Sequence, residues 1–211
     1  MTDQVCWVDV GTNGEIILKH DGKFLGCATA AGPAFEGAGL SSGMRAGDGT
    51  ISYVHMTVRD GGLSLKTETI GHDHSKTHSP PIGICGSAYI DFLAEGRRTD
   101  LLSPVGGFNP ALNTHGRIFN YDPHHGDAFR LASGPGGQPI AVTRRDIAGL
   151  MQAKAATAAG ILTLLEIAGL KAEEIKTVYL AGGFGTKMRS ANAIRLRPAA
   201  RLCARANPTG R

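Results

Sequence analysis

Two short runs constrain this chain more than anything else in it: VDVGTNGEII over 8–17 and VYLAGGFG over 178–185. Each drives an apolar strand straight into a turn rich in glycine. A strand ending in Asp and Val and turning through Gly, Thr, Asn, Gly brings backbone N–H groups close to phosphate oxygens, because glycine puts no Cβ in the way of an approaching anion. A second strand ending in Ala, Gly, Gly, Phe, Gly suits contact with the base or sugar of a nucleotide. The pair predicts a nucleotide cleft closed by distant parts of one chain.

At 211 residues and 42% hydrophobic, the chain can bury one large domain, or a domain with an attached subdomain. Thirty glycines against one tryptophan favour an α/β protein whose loops contact a ligand over a self-contained sandwich. The net charge of +4 is uneven, since Arg189, Arg195, Arg197, Arg201, Arg205 and Arg211 all fall in the last 23 residues. That pattern reads as a domain over 1–198 and a solvated, poorly ordered basic tail over 199–211. With no aromatic residues interleaved, the tail does not read as a nucleic-acid surface.

Cys6, Cys27, Cys85 and Cys203 are scattered and form no CxxC pair, so no iron–sulfur cluster is expected within this chain. Free thiols in a reducing compartment are the simpler reading. The start, MTDQVCWVDV, has no basic leader, and no unbroken apolar run approaches the roughly 18 residues of a membrane span. The expected location is therefore cytoplasmic, away from any membrane.

Periodicity outlines the elements. Residues 5–10, 15–20 and 24–28 read as strands, the last two joined at Asp21–Gly22; 50–59 and 63–69 form a hairpin about the DGG turn. Residues 32–43 read as a glycine-rich loop with a short helix starting near Pro33. A helix opens at Gly86 and Ser87 and runs to Gly96. Residues 103–139 are turn rich, with short strands near 117–120 and 128–131. The clearest helix covers 143–169, with Thr143 as cap and Asp146 in the capping-box position. A strand over 177–180 and a helix from Ser190 complete an α/β order.

Candidate chemistry gathers at a few positions. Asp9 can hold a hydrated magnesium ion while Gly11, Thr12, Asn13 and Gly14 meet phosphate; the alternative is an ordinary type I′ hairpin at Asn13–Gly14. Glu15 can polarise a water or hold a cation, or it is an exposed strand carboxylate. Gly182, Gly183 and Gly185 around Phe184 can admit a base, or they make a tight connection with Phe184 in the core. Cys85, Gly86 and Ser87 at a helix start can present N–H groups to an anion, and Cys85 is either a nucleophile or an inert buried thiol. His72, Asp73, His74 and His78, and separately His124 and His125, have metal-compatible spacing but lie in polar loops. GxxxxGK[ST], GxGxxG and HExxH are all absent, so a nucleotide must be bound by some other architecture.

Taken together, VDVGTNGEIIL (8–18), AAGPAFEGAGLSSGMRAGDGTI (30–51), PIGICGSAYIDFLAEG (81–96), TRRDIAGLMQAKAATAAGILTLLEIAGL (143–170) and VYLAGGFG (178–185) resemble the C-terminal region of the reductive activators of corrinoid proteins. The resemblance covers most of 5–194 and is loosest over 97–142. It implies an ASKHA fold, the actin, sugar kinase and Hsp70 architecture, here as the second of its two like halves: a mixed sheet flanked by the 143–169 helix and the helix after 190. The first half and the [2Fe–2S] ferredoxin-like domain of the family have no counterpart in these residues.

The resemblance also implies ATP and Mg as ligands, with ATP driving reduction of cob(II)alamin to cob(I)alamin in a corrinoid protein of a methyltransferase system. By that likeness Asp9 to Asn13 match the second phosphate loop and Gly182, Gly183 and Gly185 the adenosine loop. Gly32 to Glu36, with Met44 and Arg45, match the family signature beside the cleft. The partners implied are the corrinoid protein and either a second copy, as a homodimer, or a separate ASKHA or ferredoxin subunit. The rival reading is a non-catalytic protein that binds a corrinoid protein or the missing ASKHA half.

Overall fold

The computed structural model describes residues 4–71 and 80–181. They divide into two units: one holds the residues up to Phe35 and those from Met151 onward, the other Glu36–Leu150.

The first unit is built on a mixed four-stranded sheet in the order β10-β1-β2-β3. Strands β1 (Val5–Val10), β2 (Gly14–His20) and β3 (Lys23–Thr29) form an antiparallel meander. The β2–β3 turn places Asp21 at φ 48° and Gly22 at φ 74°, as the Asp-Gly pair predicts for a type I′ turn. The late strand, β10 (Thr177–Ala181), returns to lie parallel to β1.

Alternation decides which side of the sheet is covered. Cys6, Val8, Ile16, Leu18 and Val178 point to one side and pack with Ile161, Leu164, Leu165 and Ile175. Three of those partners come from the long helix α2 (Arg144–Ala168), whose residues from Met151 on belong to this unit. Its closest approach is made by Gly160, where a Cβ would stand 2.4 Å from Thr29 Cγ2 and 2.9 Å from Ile16 Cδ1. Such distances are far inside van der Waals contact, so only glycine lets the helix seat this deeply.

In the second unit, β4 (Thr50–Arg59) and β5 (Gly62–Thr69) make the hairpin foreseen from the DGG turn, with Asp60 at φ 51° and Gly61 at φ 74°. Strand β6 (Gly83–Ile84) pairs in parallel with only Thr50 and Ile51, and among the described residues no strand covers the rest of that β4 edge. Helix α1 (Gly86–Arg98) takes its place. Ser87 Oγ donates to Ser52 O at 3.1 Å, Asp91 Oδ2 accepts Val54 N–H at 3.4 Å, and Glu95 Oε2 accepts Met56 N–H at 3.0 Å. Arg98 reaches the Met56 carbonyl. Polar side chains on successive turns of a helix thus satisfy backbone groups that a neighbouring strand would otherwise pair. The surrounding core includes Met56, Tyr89, Phe92 and Phe129, with the two phenyl rings 5.6 Å apart.

Residues 103–139 are better organised than their turn-rich composition suggests. Strands β7 (Ile118–Asp122), β8 (Gly126–Ser133) and β9 (Pro139–Thr143) form an antiparallel meander. The first two match the expected short strands, and β9 was not anticipated. Its five residues begin at a proline and run directly into α2, so the helical pattern masks them.

The α2 start is the capping box that the sequence predicts. Asp146 N–H donates to Thr143 Oγ1 at 3.1 Å, and Thr143 N–H to Asp146 Oδ2 at 2.9 Å. By length and composition α2 would also serve as a membrane span, although polar residues such as Gln152, Lys154 and Glu166 interrupt its apolar run. In this fold it buries a stripe at helical spacing, Ile147, Leu150, Ala153, Ile161 and Leu164, which is the pattern of a core helix. The helix expected from Ser190 and the basic tail lie outside the described residues.

Candidate nucleotide site

The β1–β2 hairpin positions the first glycine turn. Val10 pairs with Gly14, so residues 11–13 form the loop. Neither Asn13 nor Gly14 has a positive φ, which rules out the type I′ alternative for this pair. Gly14 is glycine for a different reason: it is buried, and a Cβ there would lie 2.4 Å from Thr29 Oγ1. That hydroxyl instead donates to Gly14 O at 3.1 Å and ties the loop base to β3. Within the loop Gly11 N–H donates to Asn13 O at 3.2 Å, while Thr12 and Asn13 face solvent.

Two further placements matter. Asp9 and Glu15 are cross-strand partners and so stand side by side on the same face, next to the loop. Asp9 also pairs in register with Ala181, the last residue of β10. The strand leading to the second glycine turn therefore ends beside the first turn. Gly182, Gly183, Phe184 and Gly185 themselves lie outside the described residues.

Gly32, at φ 70°, turns the chain out of β3 into a short 3₁₀ helix (Pro33–Glu36). The remaining candidates belong to the second unit. Glu36 is half-buried and Arg45 exposed, the Arg45 carbonyl accepting from Thr50 Oγ1 at 3.4 Å. Between them the chain is clamped: Ile84 N–H donates to Ser42 O at 2.8 Å and Met44 N–H to Ile84 O at 2.9 Å. This brings the 42–44 segment against the strand that immediately precedes Cys85, Gly86 and Ser87.

Cys85 is the N-cap of α1 and is 3% exposed. Its Sγ lies 3.0 Å from Ser87 Oγ, while the Ser87 hydroxyl is engaged with β4. A buried thiol whose recorded side-chain contact is a serine hydroxyl fits the inert alternative better than the nucleophile. His125 Nδ1 lies 2.7 Å from Asp122 Oδ2, within one turn, and among the described residues no group of three or more His, Cys, Asp or Glu is placed to hold a metal. His72, Asp73, His74 and His78 all lie outside those residues.

Sequence reading missed the two polar centres of the second unit. In one, Asp146 Oδ1 accepts both Ser41 N–H at 2.8 Å and Ser41 Oγ at 3.0 Å, so the residue that caps α2 also holds the GLSSG loop. In the other, buried Glu95 lies 2.8 Å from His55 Nδ1 and 2.7 Å from an Arg98 nitrogen. Burial pushes the Glu95 carboxyl up, but Arg98, the Met56 amide and His55 together outweigh it and hold the group below its ordinary value. Acids at i and i+4 on a helix face that is otherwise apolar were the available signal.

A hairpin carrying an Asp-Val-Gly-Thr-Asn-Gly segment, with a late parallel strand delivered beside its first strand, is the arrangement of an α/β domain of the ASKHA class. The chain belongs to the family of the C-terminal domain of RACo, the ASKHA domain, whose model matches residues 3–202. It is 33% identical over 88% of its length to the corrinoid activation enzyme RamQ of Eubacterium limosum, and 28% identical over 89% to the [Co(II) methylated amine-specific corrinoid protein] reductase of Methanosarcina barkeri. Among solved structures it resembles a reductive activator for corrinoid, iron-sulfur protein, with a TM-score of 0.78 and 38% identity over 91% of this chain. The chain spans 31%, 33% and 29% of these three proteins, about a third of each.

Proposed function

We propose that this chain supplies the nucleotide-binding half of a cytoplasmic, ATP-dependent activator that returns a corrinoid protein from cob(II)alamin to cob(I)alamin. The observation that carries the reading is the pairing of Asp9 with Ala181, which sets the 11–13 loop and the end of β10 at one end of one sheet. Asp9 then holds magnesium through water, and Gly11, Thr12, Asn13 and Gly14 offer backbone and hydroxyl groups to phosphate. The donor set fits: Asp9 is half-buried with the exposed carboxylate of Glu15 beside it, and carboxylate oxygen is what magnesium prefers. Gly182, Gly183, Phe184 and Gly185 take the adenosine side.

Bound ATP supplies the free energy for a conformational change that makes the cobalt easier to reduce, which requires that nucleotide bind two conformations unequally. One electron is added to each Co(II), and it comes from a low-potential donor outside this chain, in the role of a ferredoxin subunit. Phosphate donors for the facing side of the cleft come from another ASKHA half.

The test is co-purification of the full chain with a corrinoid protein held in the cob(II) state, with and without Mg-ATP. A complex whose stability changes with Mg-ATP is expected; no complex in either condition overturns the reading. The second reading is a non-catalytic interaction protein that binds a corrinoid protein or another ASKHA half. It predicts a complex that Mg-ATP leaves unchanged.

A further inference from the structure

The β7–β8 hairpin of the second unit separates its charges end from end. Asp122 and Asp127 sit at the turn, and Asp122 is already engaged, accepting from the His124 and His125 amides at 2.8 Å. Arg117 and Arg130 sit at the open end, roughly 15 Å away at ~3.4 Å per residue. They face each other across the strands: Ile118 pairs with Phe129, and one position further the Arg130 amide donates to Arg117 O at 2.8 Å. Over 101–121 and again over 128–145 the sequence contains no Asp or Glu.

Both guanidiniums are held in place without being neutralised. Arg117 donates to the Arg130 carbonyl at 2.9 Å and to the Leu131 carbonyl at 3.3 Å. Arg130 is exposed and lies over the Phe119 ring, 5.0 Å from its centroid, with Tyr121 beside Phe119 at 6.0 Å. Burial pushes the Arg117 pKa down, and the charge of Arg130 adds to that. Among the described residues neither arginine forms an ion pair with a carboxylate. Like charges directly opposite each other on a sheet are destabilising, and a guanidinium stacked on a ring keeps its edge N–H donors for a ligand.

We propose that this pair is a docking site for an acidic segment of a partner protein, Arg117 and Arg130 each taking one carboxylate. Charge complementarity selects the occupant, because the guanidinium fork matches a carboxylate and clustered arginines are a recurring means of reading acidic motifs. The geometry suits an extended segment. Its side chains at i and i+2 point the same way about 7 Å apart, close to the roughly 5 Å between residues facing each other across two strands. Phe119 and Tyr121 add apolar contact that a free anion would not use. The proposal is independent of the nucleotide reading, and its test uses no nucleotide.

The experiment is fluorescence anisotropy of a labelled peptide of alternating Glu and Leu, titrated with the full chain at low salt and at about 0.15 M salt. Saturable binding that weakens as salt rises is expected. Arg130→Glu should weaken it by about tenfold or more, and Arg130→Gln should weaken it less. The charge-matched Arg59→Gln, at the end of β4, should leave it unchanged. The Arg130 side chain caps no main-chain carbonyl, so its variants should fold, and circular dichroism checks that they do. Absence of saturable binding overturns the proposal, as does Arg130→Gln binding like the wild type or no more weakly than Arg59→Gln. Displacement of the peptide by equimolar inorganic phosphate would also overturn it.

Discussion

Asp9, where β1 runs into its glycine loop, and Ala181, where β10 ends, are parallel neighbours in one sheet. Residues from opposite ends of the chain thus meet at the place where a nucleotide is proposed to bind. The residues of the second unit all lie between these two in the sequence.

Asp146 serves two segments at once, and removing it should cost more than a helix cap alone. Loss of a capping side chain costs ~1 kcal/mol, and leaving Ser41 N–H without its acceptor adds ~1–2 kcal/mol. Asp146→Ala should therefore lower stability by about 2–3 kcal/mol in urea unfolding, and Ser41→Ala by less. Because Ser41 bonds to Asp146 directly, the double variant should fall short of the sum.

Glu95 should make stability dependent on acid. Its folded pKa lies below the ordinary value, so the stability it contributes is present above the unfolded pKa of ~4.3 and is lost as pH falls through the folded pKa. Glu95→Gln should flatten the loss of stability seen between about pH 4.5 and lower pH. Glu95→Ala, which strips a buried partner from Arg98 and from the Met56 amide, should cost ~3 kcal/mol at neutral pH. Thermal melts at several pH values check both; equal acid sensitivity in wild type and Glu95→Gln would remove the carboxylate from the account.

Two glycines of α2 should respond to alanine in opposite directions. At Gly160 the new Cβ meets Thr29 and Ile16 at 2.4 and 2.9 Å, so overpacking of ~1–3 kcal/mol outweighs the gain in helix propensity. At Gly149 the nearest atom is Leu40 Cδ2 at 4.0 Å, and the ~1 kcal/mol propensity gain should appear as a higher melting temperature. Destabilisation at both positions would contradict the packing described here.

Local chemistry made most of the elements legible. The Asp-Gly turns fixed two hairpins, and Thr143 with Asp146 marked the start of α2 to within a residue. What stayed hidden depended on contacts distant in sequence. Gly14 looks like a turn glycine beside Asn13, yet it is required by Thr29 from the next strand. Asp91 and Glu95 look like surface acids of a helix, yet β6 stops after two residues and leaves β4 amides for them to satisfy. Strand β9 went unseen because proline and the adjoining helix obscure its alternation. The site was legible as a pair of glycine turns, but that Asp9 should pair with Ala181 needed the sheet register.

Calorimetric titration of the purified full chain with Mg-ATP, repeated with Asp9→Ala, tests the central claim most directly. Saturable binding that disappears in the variant, while the variant keeps its circular dichroism spectrum, is the predicted result. No heat and no change in melting temperature with Mg-ATP, or binding that survives Asp9→Ala unchanged, would contradict the assignment of the Asp9 loop to the nucleotide.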